Sequence, residues 1–313
     1  MAYMVNENTK DKILTILKQN SDYITGEKIS SGLSISRVAV WKNINSLINI
    51  GYPVITSKKG YLLDDNYDFI YPYEFTGNSP YFYTESAVST MNLPEKAVKN
   101  NSEIIAAAEI QSEGKGRYNR KWFSEKGGLY FTIFLKNMNI PVSLLNFLPL
   151  YTAKITVQSI LKVYNIQTVI KWPNDIYYDN KKVAGILINS GCQGTIITEI
   201  AAGIGININN SLNFPGTISL SKIKNTQLKR NLLLNEIYKS FMHEIHSFNK
   251  KNIMTFYDDN SYLKNRCIEA IDDNNIKFTG TTGSLDDYGG LLIKQNNSQI
   301  IPIYSCNTLN IIS

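Results

Sequence analysis

A glycine-rich loop in the middle of the chain concentrates four positively charged side chains. It reads QSEGKGRYNRKW over residues 111–122. The side chains that could supply positive charge to an anionic ligand are Lys115, Arg117 and Arg120. The two glycines beside the lysine allow the backbone to approach a ligand closely, and arginine's planar guanidinium suits phosphate oxygens. The GxxxxGK[ST] spacing of a Walker loop is absent. The loop therefore suits an anionic ligand, although a solvated turn can have the same composition.

A second segment combines lysines with a carboxylate and an amide. Residues 171–185 read KWPNDIYYDNKKVAG, in which an Asp-Asn pair between two apolar strands predicts a hairpin turn. Lys171 and Lys182 are then expected near each other on facing strands. Asn174 and Asp175 are suited to organising a metal–phosphate group. A solvated lysine beside an ordinary turn is the alternative interpretation.

These groups together favour one class of reaction. A further strand end, GIGIN at residues 203–207, has glycines against which a base or ribose can lie. Cations and glycine loops without a Ser/His/Asp or Cys/His arrangement favour phosphoryl or nucleotidyl transfer, in which a protein mainly positions anions. The histidines, His243 and His246, lie three residues apart without the pattern of a metal site and are expected at the surface.

Composition narrows the setting of this chemistry. The 313 residues, 43% of them hydrophobic, are enough for two domains, and the net charge of +6 permits an anionic partner. Three widely spaced cysteines without a CxxC pair argue against disulfides and zinc, and fit a reducing compartment. The polar N-terminus shows no secretory signal, and no apolar run approaches the ~20 residues of a membrane span. We expect a cytoplasmic protein without a membrane partner.

The hydrophobic patterns predict an α+β multidomain chain. The first region, to about Leu63, reads as three short helices and a hairpin. An aromatic, turn-rich stretch from Asp64 to about Thr84 is interpreted as a linker. Strands and helices then alternate, and from about Cys267 short strands with glycine turns predict a small all-β barrel.

The N-terminal layout is that of a winged helix-turn-helix, whose third helix enters the major groove and whose wing follows the backbone. Eight basic against four acidic residues up to Leu63 give this region a net charge of +4. A small helical docking module with solvated charges is the alternative, and a dimer would double the basic surface. The residues expected to contact DNA are Ser36, Arg37, Trp41, Lys42 and Asn43 on the third helix and Lys58 and Lys59 on the hairpin.

Over essentially its whole length, the chain resembles the bifunctional biotin–protein ligases, also called biotin operon repressors. GKGRYNRKW at 114–122 matches the GRGRxxRxW loop of that family. KWPND is present unchanged at 171–175, and KVAGIL at 182–187 matches the strand K-[LV]-A-G-I-L. The two main motifs in this order and spacing are highly specific.

The resemblance implies an architecture and a reaction. It implies a winged helix-turn-helix over residues 1–65, a mixed α/β ligase domain over 66–265 and an SH3-like C-terminal domain over 266–313. Biotin's carboxylate would attack the α-phosphate of ATP, with Mg²⁺, to give biotinyl-5′-AMP. A lysine of biotin carboxyl carrier protein would then receive biotin as an amide. The family also represses biotin genes by binding operator DNA, and we expect a homodimer.

The family's functional residues carry over by motif position. Those implied in catalysis are Arg117, Lys171 and Lys182. Those implied in binding biotin are Ser89, Thr90, Met91, Gln111, Lys115, Gly116, Arg117, Lys182 and Gly185. Those implied in binding ATP are Arg117, Arg120, Trp122, Asn174, Asp175, Ile206 and Asn207, with Mg²⁺ held through ATP and Asp175 as a candidate ligand.

Four positions depart from the family pattern. Lys115 replaces an arginine, Met91 replaces the asparagine of an STN motif, Asn119 stands where glycine is common, and Asn189 where glutamate is frequent.

Three other functions compete with this one. A repressor that only senses ligand would have an eroded KWPND motif or lack a loop arginine. Lipoate ligases and octanoyl transferases lack the motif pair. A ligase without DNA binding stays open, because the N-terminal charge is weak.

Overall fold

The computed structural model describes residues 9–92, 101–212 and 214–312. The predicted domains therefore include some residues outside the described ranges. The helices are α1 (Thr9–Lys18), α2 (Gly26–Leu33), α3 (Arg37–Asn49), α4 (Phe147–Tyr164), α5 (Leu220–Lys224), α6 (Arg230–Ile245) and α7 (Lys250–Asn260). The strands are β1 (Val54–Ser57), β2 (Gly60–Leu63), β3 (Tyr81–Ala87), β4 (Glu103–Gln111), β5 (Leu129–Pro141), β6 (Val169–Lys171), β7 (Asp175–Tyr178), β8 (Lys181–Gln193), β9 (Ile196–Ile206), β10 (Cys267–Ile271), β11 (Lys277–Leu285), β12 (Leu291–Lys294), β13 (Ile300–Ile303) and β14 (Thr308–Ile311).

The N-terminal unit is a winged helix-turn-helix, as predicted. Helices α1 to α3 bury an apolar stripe, and the antiparallel β1–β2 hairpin forms the wing. Ser36 caps α3, because its hydroxyl accepts a hydrogen bond from the amide of Ala39 at 3.1 Å. The opposite face of α3 is left open to solvent.

A seven-stranded sheet forms the central unit, in the order β3-β4-β5-β9-β8-β7-β6. All neighbours are antiparallel except β3 and β4, which run parallel. Helix α4 is buried over most of its length and contacts β6, β7, β8 and α6. Helix α4 therefore packs on the strands β6 to β8.

The C-terminal unit is β-rich, as predicted. Its antiparallel sheet has the order β13-β12-β11-β10-β14. Inward-facing residues such as Ile268, Leu291 and Ile303 join the same hydrophobic core as the central sheet. The C-terminal sheet is therefore packed against the central unit. Within the described residues, no helix is both long and apolar enough to cross a membrane.

The interpretation of the chain from Asp64 to about Thr84 as a linker is wrong. Strand β3 already begins at Tyr81, and Ile70, Pro72 and Phe75 are buried before it. Aromatic side chains, which the sequence shows but whose partners it does not, pack this segment between the two units. The connection is a folded part of the molecule.

Candidate active site

A cavity of about 380 Å³ lies where the glycine-rich loop meets the ends of β6 to β9 and the C-terminal sheet. This volume is within the range of small-molecule sites, roughly 300–1,000 Å³. The predicted residues that line it are Ser89, Thr90, Met91, Gln111, Lys115, Gly116, Arg117, Arg120, Trp122, Lys171, Asn174, Asp175, Lys182 and Gly185. Residues separated by more than ninety positions in sequence thus meet in one place.

Two predicted residues lie outside this lining. Ile206 is fully buried in the core at the end of β9. Asn207 is also buried, and its side-chain oxygen accepts a hydrogen bond from Asn210 at 3.1 Å. The lining includes instead the preceding residues of β9, Gly203 to Gly205. Ile206 is the last residue of β9, with its side chain on the face opposite to Gly205, and Asn207 follows the end of the strand.

The glycine-rich loop forms a short hairpin. The Trp122 amide donates to the Gly114 carbonyl at 2.7 Å, and the Gly116 amide donates to the Arg120 carbonyl at 2.8 Å. At the tip, Tyr118 and Asn119 have φ values of 57° and 55°. Asparagine tolerates this left-handed conformation better than most residues, which explains Asn119 at a position where glycine is common in the family.

The tip of the hairpin contacts the C-terminal unit. The Tyr118 hydroxyl donates to Asp273 at 2.5 Å, and the Arg120 guanidinium donates to the Asn307 carbonyl. Hydrogen bonds from Ser305 and Tyr118 lower the pKa of Asp273. The C-terminal unit therefore supports the loop over the cavity.

Two lysines flank one carboxylate in the same cavity. Contrary to the expectation, they do not lie on facing strands: Lys171 ends β6 and Lys182 is the second residue of β8, with β7 between these strands. Lys171 pairs in register with Asp175, and the Lys182 ammonium lies 2.7 Å from the Asp175 carboxylate. Burial lowers the pKa of Lys171, and the nearby charge of Lys182 lowers it further, while Asp175 acts in the other direction. Short strands thus hold both charges in place.

Trp122 lies against the sheet at two glycines. A Cβ atom at Gly205 would be 2.5 Å from the indole Nε1, and one at Gly185 would be 3.0 Å from the ring. The Lys182 ammonium lies 5.2 Å from the ring centroid, within the range of a cation–π interaction. The indole N–H is buried without a hydrogen-bond partner among the described residues. The glycines are needed because any side chain would displace the ring.

A polar network lines the other end of the cavity. The Gln111 side-chain oxygen accepts from the Thr90 amide at 2.7 Å, and its amide donates to the Ser124 hydroxyl at 2.8 Å. The Thr132 hydroxyl donates to that of Thr90 at 2.8 Å. Three of these side chains are buried. This part of the cavity suits a ligand with a compact polar group, because the hydrogen-bonding atoms of that group would meet side chains already held in place.

Sequence reasoning missed part of the wall. Cys306, Asn307 and Leu309 reach the cavity from the C-terminal unit, and Tyr177 from β7. Burial raises the pKa of Cys306 to about 11, so its thiol stays protonated at neutral pH. No motif connects this part of the chain with the loop, so the sequence alone offered no signal for it.

The residues present suit a magnesium ion that is held mainly by a nucleotide. Within residues 9–92, 101–212 and 214–312, no three His, Cys, Asp or Glu side chains form a metal-binding group. Asp175 is the carboxylate at the cavity wall. Mg²⁺ commonly uses one or two carboxylates together with substrate phosphates and water. One carboxylate between two lysines therefore fits a metal–triphosphate better than a metal ion alone.

The predicted DNA-contacting residues lie on one side of the N-terminal unit. Arg37, Trp41 and Lys42 are exposed on α3, and Trp41 has 56% of its surface open to solvent. Lys58 and Lys59 occupy the exposed turn of the wing. Ser36 and Asn43 instead bond to the helix backbone, Ser36 as its cap and Asn43 through the Ala39 carbonyl at 2.8 Å. The basic wing tip and the open face of α3 together form a surface suited to a duplex.

Comparisons with known proteins agree with this arrangement of a helix-turn-helix followed by a nucleotide-activating cavity. The model of the biotin/lipoate A/B protein ligase family matches residues 84–207, and an HTH domain model matches residues 9–62. The bifunctional ligase/repressor BirA of Bacillus subtilis is 30% identical over 95% of this chain and 97% of its own length. The protein of the same name from Escherichia coli is 26% identical over 93% and 94%. The chain therefore belongs to the family of bifunctional biotin ligase/repressor proteins.

Solved structures agree in fold. A biotin protein ligase from Aquifex aeolicus in complex with biotin and ATP superposes with a TM-score of 0.62, is 24% identical, and covers 75% of this chain and 100% of its own. A ligase from Leishmania major in complex with biotinyl-5-AMP gives 0.52 at 20% identity, over 72% and 99% of the two chains. At such identities the likeness concerns the fold alone.

Proposed function

We propose that the protein is an ATP-dependent biotin–protein ligase that also represses biotin genes. It forms biotinyl-5′-AMP and transfers biotin to a lysine of biotin carboxyl carrier protein. The observation that carries this proposal is the pair Lys171 and Lys182, fixed on both sides of Asp175 in the cavity that the cationic hairpin also lines. We retain the domain division 1–65, 66–265 and 266–313 as part of the proposal.

The two substrates are anions that repel each other. Lys182 is assigned to the biotin carboxylate, because it is oriented by Asp175 and by the face of Trp122. Lys171, Arg117 and Arg120 are assigned to the phosphates. Charges held in place before the reaction stabilise a transition state without reorganisation. Bringing the carboxylate to the α-phosphate in this geometry replaces an encounter between two repelling ions in water.

Biotin and the nucleotide are assigned to opposite ends of the cavity. The network of Ser89, Thr90 and Gln111 offers donors and acceptors for the polar ring of biotin. Asn174 and Asp175 face the phosphates, and Gly185 and Trp122 are assigned to the adenylate. Mg²⁺, bound through ATP with Asp175 as a candidate ligand, supplies charge neutralisation at the phosphates. Lys115 and Gly116 cover the bound intermediate.

The ligase function is tested with purified protein, biotin, ATP and Mg²⁺. We expect biotinyl-AMP and pyrophosphate, and then biotin on the acceptor lysine when a biotin carboxyl carrier domain is added. Lipoate and octanoate in place of biotin are the controls, because the family model includes lipoate ligases. Adenylation of lipoate in preference to biotin would contradict the substrate assignment. Absence of any adenylate would contradict the enzyme assignment.

The repressor function is supported by the exposed face of α3 and the basic wing tip. We further propose that the protein acts in the cytoplasm as a homodimer, and that biotinyl-AMP favours the dimer more than biotin alone. One unit with a net charge of +4 makes few phosphate contacts, and salt weakens such contacts steeply. A dimer makes the second half-site contact effectively intramolecular.

Sedimentation and DNA titration test the dimer. Sedimentation velocity, with and without biotinyl-AMP, should show a ligand-dependent shift toward the dimer. Binding to the DNA upstream of a biotin-synthesis gene should tighten in parallel. A ligand that changes neither the oligomeric state nor the DNA affinity would contradict the repressor proposal, and the ligase proposal would stand.

A further inference from the structure

Glu74, in the segment between the two units, is a buried carboxylate with partners on both sides. Only 3% of its surface is exposed. One oxygen accepts a hydrogen bond from the Tyr52 hydroxyl at 2.7 Å, and the other from the Lys18 ammonium at 2.8 Å. Both donors belong to the DNA-reading unit. The same carboxylate also accepts from the Asn231 amide of α6 at 2.9 Å. A single side chain thus joins the N-terminal unit to a helix of the catalytic unit.

The backbone around Glu74 is fixed to the same helix. The Asn235 side-chain amide donates to the Glu74 carbonyl at 2.7 Å, and its oxygen accepts from the Thr76 amide at 2.8 Å. Two turns of α6 therefore hold both the side chain and the main chain of this short segment. A buried carboxylate retains its place only where such partners satisfy it, since an unpaired buried charge is strongly destabilising.

A second set of contacts anchors the segment nearer the wing. The Asp68 carboxylate accepts from the amide of Arg230 at 2.8 Å and from its guanidinium at 2.7 Å, and that guanidinium also reaches Glu109 at 2.9 Å. The aromatic rings of four residues contact in succession, with neighbouring ring centroids 4.7–5.2 Å apart: Tyr52, Phe69, Tyr71 and Tyr83. These rings bridge the two hydrophobic cores. The joint is therefore packed by aromatic rings and held by ion pairs and hydrogen bonds.

We propose that Glu74 is a positioning residue that sets the orientation of the DNA-reading unit against the catalytic unit, and thereby the separation of half-sites that a dimer can bind. The inference rests on the proposed repressor function. In a two-fold dimer the distance between the two α3 helices depends on how each N-terminal unit is mounted. A rigid mounting accepts one half-site spacing, and a loose one accepts several.

The first test is independent of DNA and uses the full chain. The segment from Tyr67 to Tyr83 is rich in tyrosine and phenylalanine, after which chymotrypsin cuts. We expect the parent protein to resist cleavage there, and Glu74→Ala to be cut into two folded parts at least about tenfold faster, because local opening exposes the backbone. Glu85→Gln, which removes an exposed carboxylate from β3, is the matched control. Equal resistance of Glu74→Ala and the parent would overturn the proposal.

The second test uses duplexes in which the separation of two half-sites changes by one base pair at a time. In the presence of biotinyl-AMP, the parent should prefer one separation by roughly tenfold or more, and Glu74→Ala should bind all separations within a few-fold. Affinity for a single half-site and the rate of adenylate formation should be unchanged, since Glu74 lies outside the cavity lining. A parent without a preferred separation, or a variant that keeps the parental preference, would overturn the inference.

Two milder variants guard against a general loss of folding. If circular dichroism shows that Glu74→Ala is unfolded, Glu74→Gln and Lys18→Met are used instead, because each removes one ion pair and leaves the packing in place. Each should accelerate cleavage and flatten the spacing profile in part. A parent that binds no operator DNA would end the repressor proposal, and cleavage alone would then decide whether Glu74 fixes the joint.

Discussion

The two groups of cations around the cavity are held by different kinds of structure. Lys171 and Lys182 lie on strands of the seven-stranded sheet, and Asp175 lies between them. The positive charges of the glycine-rich hairpin lie on a loop that leaves the sheet. The residues at its tip are exposed and have a left-handed backbone conformation. Strand-held charges keep their geometry whether or not a ligand is present. Charges on the hairpin are held by fewer contacts, chiefly those of Tyr118 and Arg120 with the C-terminal unit, and any further ordering on binding would oppose it.

This difference suggests a division of labour. Groups fixed in advance contribute most to the transition state, because no free energy is used to arrange them during the reaction. Groups on a loop that closes contribute to holding an intermediate and to excluding water from it. We therefore expect changes in the lysine pair to affect the rate of adenylate formation. Changes in the hairpin should affect chiefly the retention of the adenylate.

The largest effect is expected for Lys182→Ala. Loss of one preorganised charge at a transition state costs about 3 kcal/mol, roughly a hundredfold or more in rate. The change also leaves the half-buried Asp175 without its ion-pair partner. The measurement is pyrophosphate release in a single turnover. Lys181→Ala is the matched control, since this neighbour is exposed on the same strand. Near-normal release by Lys182→Ala would contradict the assignment.

A smaller and different effect is expected for Arg117→Ala. Charge-assisted hydrogen bonds contribute about 1.5–3 kcal/mol, so biotinyl-AMP should dissociate roughly ten- to a hundredfold faster while still being formed. Dissociation is measured by chasing labelled adenylate with unlabelled ligand. Lys126→Ala, an exposed charge just outside the hairpin, is the control. Equal retention in the variant and the parent would mean that Arg117 is a solvated charge, and the division between strands and loop would fail.

The sequence predicted the cavity's chemistry better than its shape. Fourteen predicted residues, eight of them in the motifs at 114–122 and 171–175, line a single cavity. The resemblance also implied Ile206 and Asn207, which are buried outside the cavity lining, because a motif position does not say which way a side chain points. Cys306 and Asn307 were missed, because contacts between distant strands leave no local pattern.

The joint between the units shows the same limit more strongly. Tyrosines, two prolines and a glycine between Asp64 and Tyr81 have the composition of an exposed connection. The partners that make this segment structural, among them Arg230 and Asn231, lie about 160 residues further along the chain. Burial of a segment depends on such partners, so its composition alone predicted the wrong role.

The two glycines of the hairpin allow a sharper test of the loop. A Cβ atom at Gly114 would lie 2.5 Å from the Trp122 carbonyl and 2.7 Å from the Ser124 hydroxyl, whereas the nearest atom at Gly116 is 3.6 Å away. Overpacking costs about 1–3 kcal/mol, so Gly114→Ala should weaken adenylate retention by roughly tenfold, and Gly116→Ala by much less. The same chase experiment measures both. Equal effects would show that backbone freedom, and not close packing, explains these glycines.

The smallest expected effect concerns the fall in enzyme activity at alkaline pH, which we attribute to loss of the Lys171 charge. Burial lowers the pKa of this lysine below its ordinary value of 10.5, and Lys182 adds to the shift, so the ammonium is lost at a lower pH than in a free lysine. The value of kcat/KM for ATP, which reports the free enzyme, should therefore fall a few-fold on the alkaline side with a midpoint below 10.5. Between the lowered pKa and 10.5 the unfolded chain binds more protons than the folded one, so this residue's contribution to stability rises with pH.

Lys171→Arg separates this lysine from every other titrating group. Arginine keeps its charge beyond about pH 12, so the alkaline fall in activity should move to higher pH if Lys171 is responsible. Lys182→Arg is the matched comparison within the same pair. The two lysines share Asp175. If the alkaline fall in kcat/KM moves to higher pH with Lys182→Arg and not with Lys171→Arg, its attribution to Lys171 is contradicted.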